Sequence, residues 1–169
     1  MDTMKAILER RSIRKYREKS VSDEIIRELL KAGMYAPSAG NQQPWDFIVV
    51  KNKESLNKIP EFHPYSNMIK EVNVAIIVCG NLEKENIKDF WVQDCSAATQ
   101  NILLAAHSMD LGAVWLGVYP DDDRVKGVRE MFNLPNHIIP LSIIPVGYPA
   151  ENKSIPDRYK EDSVHYEQW

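Results

Sequence analysis

The chain has 169 residues, which suits one domain with a sizeable hydrophobic core. Its 44% hydrophobic and 27% charged residues are typical of a globular protein. No apolar run approaches the roughly 20 residues that span a bilayer. The net charge of −3 argues against polyanion binding by the whole molecule, and the N-terminus lacks a signal segment. We therefore expect one cytoplasmic domain over residues 1–169, with neither a membrane nor a nucleic acid as partner.

The first predicted helix, MKAILER, ends at a run of positive charge, and Asp2 or Thr3 can cap its start. The charges that follow are Arg10, Arg11, Arg14, Lys15, Arg17 and Lys19. Together with the hydroxyl of Ser12, the guanidinium groups can bind a phosphate, because they donate bidentately to its oxygens. A nucleic-acid arm or a solvated basic stretch would have the same composition. The hydrophobic Ile13 and Tyr16 favour a packed segment over a flexible arm.

A second helix is predicted to begin at Ser22 as its N-cap and to end before Pro37. It leads into the polar loop APSAGNQQPW at residues 36–45. Ser38, Asn41 and two glutamines in this loop offer hydrogen-bond donors and acceptors of both kinds. They can bind the edge of a planar heterocycle or the hydroxyls of a sugar chain. A purely structural turn explains the same composition.

Two strands and a long helix follow the loop. Residues 46–50 read as one strand, and residues 74–80 are apolar on both faces, which predicts a central strand. Residues 87–109 form a helical pattern that is apolar nearly all round, and Leu111-Gly112 is expected to end it. In a chain this short, such a helix indicates that a partner subunit covers part of it.

The remaining elements alternate between strand and helix. Residues 113–118 and 140–147 are predicted strands, and residues 121–132 a helix. This alternation indicates an α/β or α+β sheet protein. The last twenty residues are polar but carry Val164, Tyr166 and Trp169. Because disordered tails rarely carry such apolar anchors, we expect the tail to pack on something.

Several common catalytic motifs are missing from the sequence. The seven glycines match neither GxGxxG nor the P-loop spacing, and there is no GxSxG turn. The four histidines show no HExxH spacing, so we expect no metal site. Cys79 and Cys95 lie in apolar settings and are interpreted as buried free thiols.

Four segments occur in the order typical of the nitroreductase family, which the chain resembles from about residue 4 to residue 169. They are RRSIRKY at residues 10–16, APSAGNQQPW at residues 36–45, GAVWLG at residues 112–117 and PVGYP at residues 145–149, the last followed by Arg158-Tyr159 and by Val164, His165, Tyr166 and Trp169. Each segment is moderately specific. Their order in a chain of this length makes the resemblance strong.

The resemblance implies an FMN site. Arg10, Ser12 and Arg158 would hold the FMN phosphate, with Arg11 in the same region. Arg14 would lie near the pyrimidine edge of the isoalloxazine ring.

The resemblance also implies that the site is shared between two subunits. Residues of the polar loop would reach the flavin of the other subunit; they are Pro37, Ser38, Ala39 and Asn41. A backbone N–H near Leu116–Val118, a range that includes Gly117, would face flavin N5.

The implied fold is α+β: a three-layer sandwich with a central mixed sheet, assembled as a homodimer. The long helix would pack against its mate, and the C-terminal tail would be swapped onto the partner. Larger family members have long helical excursions that help to roof the pocket, whereas only residues 81–89 separate the second strand from the long helix here. The roof must therefore be thinner, or be built by residues 62–68.

The implied activity is reduction of nitroaromatics, quinones or similar planar acceptors by NAD(P)H. Flavin N5 would be the reactive centre of a ping-pong mechanism, with no catalytic protein nucleophile. A cation such as Arg14 would favour the reduced, anionic flavin. Two alternatives remain open: another flavin enzyme on this scaffold (a dehalogenase, a flavin-degrading enzyme or a dehydrogenase), or a flavin-binding protein without turnover.

Overall fold

A computed structural model describes all residues from Met1 to Trp169. The helices are α1 (Thr3–Glu9), α2 (Asp23–Met34), α3 (Lys53–Lys58), α4 (Trp91–Ser108) and α5 (Asp122–Phe132). The strands are β1 (Trp45–Val50), β2 (Val74–Asn81), β3 (Gly112–Ala113), β4 (Leu116–Gly117) and β5 (Ile138–Gly147). Short 3₁₀ turns join several of them. The predicted strand 113–118 is thus divided into two short pieces.

Helix starts follow the capping residues in the sequence, because a side-chain oxygen there can accept one of the unpaired N–H groups of the first turn. Asp2 accepts from the N–H of Lys5 at 3.2 Å and so caps α1. Ser22 accepts from the N–H of Ile25 at 3.4 Å and caps α2. Both predicted starts are confirmed.

The sheet has the order β1-β2-β5-β3, with β4 also paired to β5. β2 is buried along its whole length, which confirms its central position. All pairs between these strands are antiparallel. The parallel component of the expected mixed sheet is confined to one isolated bridge between Ser12 and Ala113.

Alternate residues of β2 face two separate hydrophobic cores, because successive side chains of a strand point to opposite faces. Ile76 and Val78 join the core built with α2 and α4, where Leu29 and Ile102 are fully buried. Ile77 belongs to the other core, built with α3 and α5. Burying one such side chain contributes about 1.5–3 kcal/mol. Helices on both faces of one sheet give the three-layer sandwich that was expected.

Helix α4 is the longest element of the chain and begins at Trp91, four positions later than the pattern indicated. The residue with left-handed backbone conformation that ends the helix is Asp110 (φ 59°), not the predicted glycine. The N–H of Leu111 then returns to the carbonyl of Ala106 at 2.9 Å. Neither α4 nor any other helix is long and apolar enough to cross a membrane.

The chain itself covers most of α4. Only Gln93 and Ser108 in this helix are exposed, because α2 and the sheet pack against it. The helix by itself therefore gives less reason for a partner subunit than its sequence suggested. Exposed apolar surface lies elsewhere, on α1 and the tail: Met4, Ile7, Leu8, Ile155, Tyr159, Tyr166 and Trp169.

The C-terminal tail makes little contact with its own chain. Every residue from Asn152 to Trp169 is exposed, and Trp169 is 101% exposed. Its only regular element is the 3₁₀ turn Glu161–Ser163. The expectation that the tail packs on a surface is not met within one subunit, so its placement on a partner stays a prediction.

Candidate functional site

Three arginines form a positive cluster where α1 ends. Arg10 is the C-cap residue of this helix, and its Nε is buried without a hydrogen-bond partner. Burial lowers the pKa of Arg10, and the positive charges of Arg11 and Arg158 lower it further. A buried donor among like charges is unfavourable unless an anion accepts its hydrogen bond and balances the charge. The cluster therefore has the chemistry of an anion site.

The cluster lines a cleft of about 360 Å³ together with Asp157 and apolar side chains. Asp157 forms no ion pair with these arginines, and its carboxylate accepts from the N–H of Tyr159 at 3.1 Å. The cleft lies between two parts of the chain that are distant in sequence, the first helix and the tail. A phosphate bound here would contact both parts.

Arg11 holds these two parts together. Its Nε donates to the carbonyl of Ser154 at 3.1 Å, and its Nη1 donates to the carbonyl of Arg10 at 2.6 Å. Because both contacts are to backbone, Arg11 fixes the beginning of the tail against the end of α1. This is a bracing position rather than a free anion-binding one.

The segment after Arg11 runs beside β3. Ser12 bridges to Ala113, and the N–H of Ile13 donates to the carbonyl of Ala113 at 3.0 Å. The N–H of Arg14 donates to Glu151 Oε1 at 2.5 Å. This hydrogen bond lowers the pKa of the Glu151 carboxyl. The basic segment is thus half-buried at residues 10–13 and buried at Tyr16, as its apolar residues predicted, whereas Arg14, Lys15 and residues 17–19 are exposed.

Arg14 and Gly117, which come from two separate sequence motifs, line one cleft of about 490 Å³. Trp115 and Leu116 form part of the same wall. A Cβ placed on Gly117 would meet no heavy atom within 4 Å, so the space beside this part of the wall is open. This open space has room for a planar ring.

The N–H of Val118 is not available to a ligand in this cleft. It donates to the carbonyl of Leu141 at 2.9 Å within the sheet. Leu116 lies opposite Ile143 in the same antiparallel register, and such a ladder bonds every second residue, so the N–H of Leu116 points to β5 as well. Within the predicted range Leu116–Val118, the N–H of Gly117 therefore stays as the candidate donor. The reason is the pairing of this segment with β5, which the sequence did not reveal.

Two side chains that belong to no motif hold the carbonyl of Gly117. His63 Nε2 lies 2.9 Å from it, and Arg124 Nη1 donates to it at 3.0 Å. His63 is 1% exposed, and burial lowers its pKa more than its hydrogen bond to Gly117 raises it. A neutral imidazole with Nε2–H donating suits this contact, and Nδ1 is buried without a partner. The isolated His63 and Arg124 carried no sequence signal.

The segment that follows His63 borders the large cleft. Pro64, Tyr65, Asn67 and Met68 all line it. This is the segment 62–68 that was named as one possible roof. The compact chain thus provides a covering segment without a long helical excursion.

The polar loop is held by a buried carboxylate on α4. Asp94 is 4% exposed and accepts from the N–H of Ala39 at 2.9 Å and from Gln42 Nε2 at 2.7 Å. The Oε1 of Gln42 in turn accepts the N–H groups of Asn86 and Ile87, both at 2.9 Å. The loop is thereby fixed to the start of α4 and to the segment before it.

Hydrogen bonds within the loop complete its shape. Ser38 Oγ accepts from the N–H of Gln43 at 3.0 Å, and Asn41 Oδ1 accepts from Gln43 Nε2 at 3.0 Å. Gly40 and Asn41 have φ values of 53° and 56°, a conformation that glycine and asparagine tolerate best. The shape of the loop is therefore fixed by hydrogen bonds within its own chain.

Within one chain, the loop and the arginine cluster do not come together. The four loop residues predicted for the site line neither the cleft of Arg10 nor that of Arg14. They are Pro37, Ser38, Ala39 and Asn41. One subunit therefore presents two separate groups of candidate residues, as a site shared between subunits requires.

Comparisons with known proteins give the family of the chain. A model of the Nitroreductase family matches residues 7–63 and 63–148. A Methanothermobacter thermautotrophicus protein, provisionally named NADH dehydrogenase/NAD(P)H nitroreductase, is 57% identical over 169 residues, 100% of this chain and 88% of its own. A Parabacteroides distasonis structure of the same provisional name has a TM-score of 0.95 at 46% identity and covers 99% of this chain and 98% of that one.

A further solved structure comes from Desulfovibrio desulfuricans. It is provisionally described as a nitroreductase and was solved in complex with FMN. It has a TM-score of 0.86 at 32% identity and covers 100% of this chain and 98% of that one. By sequence and by fold, the chain belongs to the nitroreductase family.

Proposed function

We propose that this protein is an FMN-dependent oxidoreductase that takes electrons from NAD(P)H and passes them to nitroaromatics, quinones or similar planar acceptors. The observation that carries the proposal is the buried Nε of Arg10, which has no acceptor in its own chain and lies near Arg11 and Arg158. A phosphate would supply both the missing acceptor and the missing negative charge.

The names of the relatives support the cofactor and the electron donor. The Desulfovibrio desulfuricans structure contains FMN, and the Methanothermobacter thermautotrophicus protein is named for NAD(P)H. FMN has a phosphate and a planar ring, and the chain offers a surface suited to each. We assign the phosphate to Arg10, Ser12 and Arg158, and the ring to the wall at Leu116 and Gly117.

When bound, FMN supplies two-electron chemistry at N5, first with the nicotinamide and then with the acceptor, which is a ping-pong mechanism. The protein's task is to hold and to orient. Arg14 provides a cation in the same cleft for the negative charge that reduction places on the ring. His63 and Arg124 fix the backbone of Gly117 through its carbonyl. No protein nucleophile is needed.

The proposed site is completed by a second copy of the chain. Pro37, Ser38, Ala39 and Asn41 would close over the flavin that the other subunit holds. The preformed loop, which lines neither cleft of its own chain, supports this arrangement. The exposed apolar surface on α1 and the tail supports it as well, since such surface is typical of an interface.

A flavin titration followed by anaerobic reduction tests the proposal. Apoprotein should bind FMN, NADH or NADPH should bleach the flavin absorbance, and a quinone or nitroaromatic should restore it. Parallel double-reciprocal plots at several acceptor concentrations would support the ping-pong mechanism. Binding without bleaching would instead favour a flavin protein with another electron donor or with no turnover. A protein without affinity for FMN would contradict the whole proposal.

A further inference from the structure

The charges that line the cleft beside Gly117 are all of one sign. Ten residues line this cleft, and its only fully ionised side chains are Arg14 and Arg124. His63 is also there, but burial lowers its pKa and favours the neutral form. No aspartate or glutamate lines the cleft. A ligand that enters it therefore meets two cations and no anion.

Arg124 has donors left over in this cleft. Its Nη1 donates to the carbonyl of Gly117, and its Nε lies 3.2 Å from Asp121 Oδ2. This Nε is buried without a hydrogen-bond partner, and Nη2 makes no hydrogen bond to the protein either, although a guanidinium can donate five hydrogen bonds. Only 21% of the side chain is exposed, so water screens this charge less than a surface charge.

The surroundings of Arg124 keep the guanidinium in place. The ring centroid of Tyr65 lies 5.4 Å from its Cζ, within the range of a cation–π contact. Asp122 and Asp123 belong to the same helical turn but do not line the cleft. The Gly117 carbonyl lies at Nη1 and the Asp121 carboxylate near Nε, so Nη2 is the nitrogen that stays available to a ligand.

We propose that Arg124 recognises an anionic group on the substrate that enters this cleft. This inference rests on the proposed function, and it names the substrate class: a planar acceptor that carries a carboxylate or sulfonate, or a nicotinamide dinucleotide held by its phosphates. Both sources offer the same chemistry, an anionic oxygen that accepts from a planar guanidinium. Arg14 is the second cation of this cleft, but it is assigned to the flavin.

Substrates with and without an anionic group test the inference on the holoenzyme. For the acceptor, naphthoquinone is compared with naphthoquinone sulfonate, and nitrobenzene with nitrobenzoate. For the donor, NADPH and NADH are compared with N-benzyl dihydronicotinamide, which has no phosphate. Stopped-flow measurement of the two half-reactions separates donor effects from acceptor effects.

In Arg124→Gln, we expect kcat/KM to fall about tenfold more for the charged member of one pair than for its neutral analogue, the size of one lost charge-assisted hydrogen bond. A selective fall with the sulfonate or nitrobenzoate identifies an anionic acceptor. A selective fall with NADPH or NADH identifies the dinucleotide phosphates. Arg124→Lys should keep part of the preference, because the charge remains without the planar fork.

Lys126→Gln is the matched control, because this exposed lysine on the same helix loses the same charge away from the cleft. It should leave every ratio unchanged. Equal changes in Arg124→Gln for the charged and neutral members of all three comparisons would overturn the inference and would restrict Arg124 to holding Gly117. Failure of the proposed function looks different, since the wild-type flavin would then not be reduced even by N-benzyl dihydronicotinamide.

Discussion

The arginine cluster and the polar loop are two halves of one proposed site, but they differ in how complete they are. The loop has its polar groups paired: Asp94 holds the N–H of Ala39 and the amide of Gln42, and Ser38 accepts from Gln43. The cluster, by contrast, leaves the buried Nε of Arg10 unpaired among like charges.

This difference indicates where ligand binding changes the energy of the protein. The loop loses its conformational entropy when the chain folds, because its hydrogen bonds form within the subunit. The cluster carries an electrostatic cost until an anion arrives. We therefore expect mutations in the loop's anchor to affect folding first, and mutations in the cluster to affect cofactor binding first.

The largest effect is expected when the two halves are damaged on different subunits. One subunit carries Arg10→Ala with Arg158→Ala, and the other carries Asn41→Ala with Ser38→Trp. Each homodimer should be inactive, whereas the mixed dimer has one site with both lesions and one with neither. Mixing should therefore restore about half of wild-type activity per dimer.

The matched control for this experiment mixes an Arg10→Ala subunit with an Arg158→Ala subunit. Both lesions then lie in the same half, every site of the mixed dimer lacks one arginine, and no recovery is expected. If verified subunit exchange restores nothing in the first mixture, the halves are not shared between subunits. An active monomer in sedimentation would contradict the shared site equally.

The next largest effect is expected from Asp94→Asn, which attacks the anchor of the loop. An amide N–H₂ would face either the N–H of Ala39 or the Nε2 of Gln42, and flipping Gln42 would break its bonds to Asn86 and Ile87. A buried unpaired donor costs about 1–3 kcal/mol. The free energy of unfolding of the apoprotein, measured by urea denaturation, should fall by about that amount.

Asp89→Asn is the control for this prediction, because it makes the same chemical change at an exposed position in the same region. Its stability should match that of the wild type. An Asp94→Asn protein as stable as Asp89→Asn would show that the carboxylate does not anchor the loop.

A smaller effect is expected from Arg10→Met, which keeps the aliphatic stem and removes the guanidinium. Here FMN affinity should fall, while the free energy of unfolding of the apoprotein should stay the same or rise. The FMN dissociation constant should rise about tenfold or more, the worth of one charge-assisted hydrogen bond. The apoprotein should be as stable as the wild type or more stable, since a buried unpaired charge beside Arg11 and Arg158 is gone. Fluorescence titration and urea denaturation measure the two quantities. Loss of stability with unchanged FMN affinity would reverse the assignment.

Local sequence patterns predict some features of the fold and of the proposed site, but not all of them. The caps of α1 and α2, the central strand and the basic segment beside Arg10 are local patterns, and the structure agrees with each prediction. The stop of α4 is different. A glycine signal was expected, but the backbone turns at Asp110, which tolerates a left-handed φ well enough to end the helix first.

The anchoring residues could not be predicted because their partners are distant in sequence. Asp94 stands in an apolar helical pattern, and its contacts to Ala39 and Gln42 depend on how α4 packs beside the loop. His63 lies 54 residues before Gly117 and Arg124 lies 7 residues after it, yet both contact its carbonyl. Sequence motifs point to the residues that we propose to face a ligand, whereas the tertiary fold selects the residues that hold them.

The smallest effect is expected from Arg14→Gln, which tests whether the cluster and the large cleft act differently on the flavin. Arg14 lines the cleft of Gly117 rather than that of Arg10, so its charge should tune the ring instead of holding the phosphate. Because Arg14 is exposed in the isolated chain, its charge is partly screened, and the FMN potential should fall by at most about 30 mV. FMN affinity should change little. Spectroelectrochemistry measures the potential, with Lys15→Gln as the control for removing a neighbouring exposed charge. Equal potentials in Arg14→Gln and Lys15→Gln would contradict the tuning role of Arg14. If Arg14→Gln loses FMN as readily as Arg10→Met, Arg14 belongs with the phosphate-binding arginines, and the functional distinction between the two clefts is wrong.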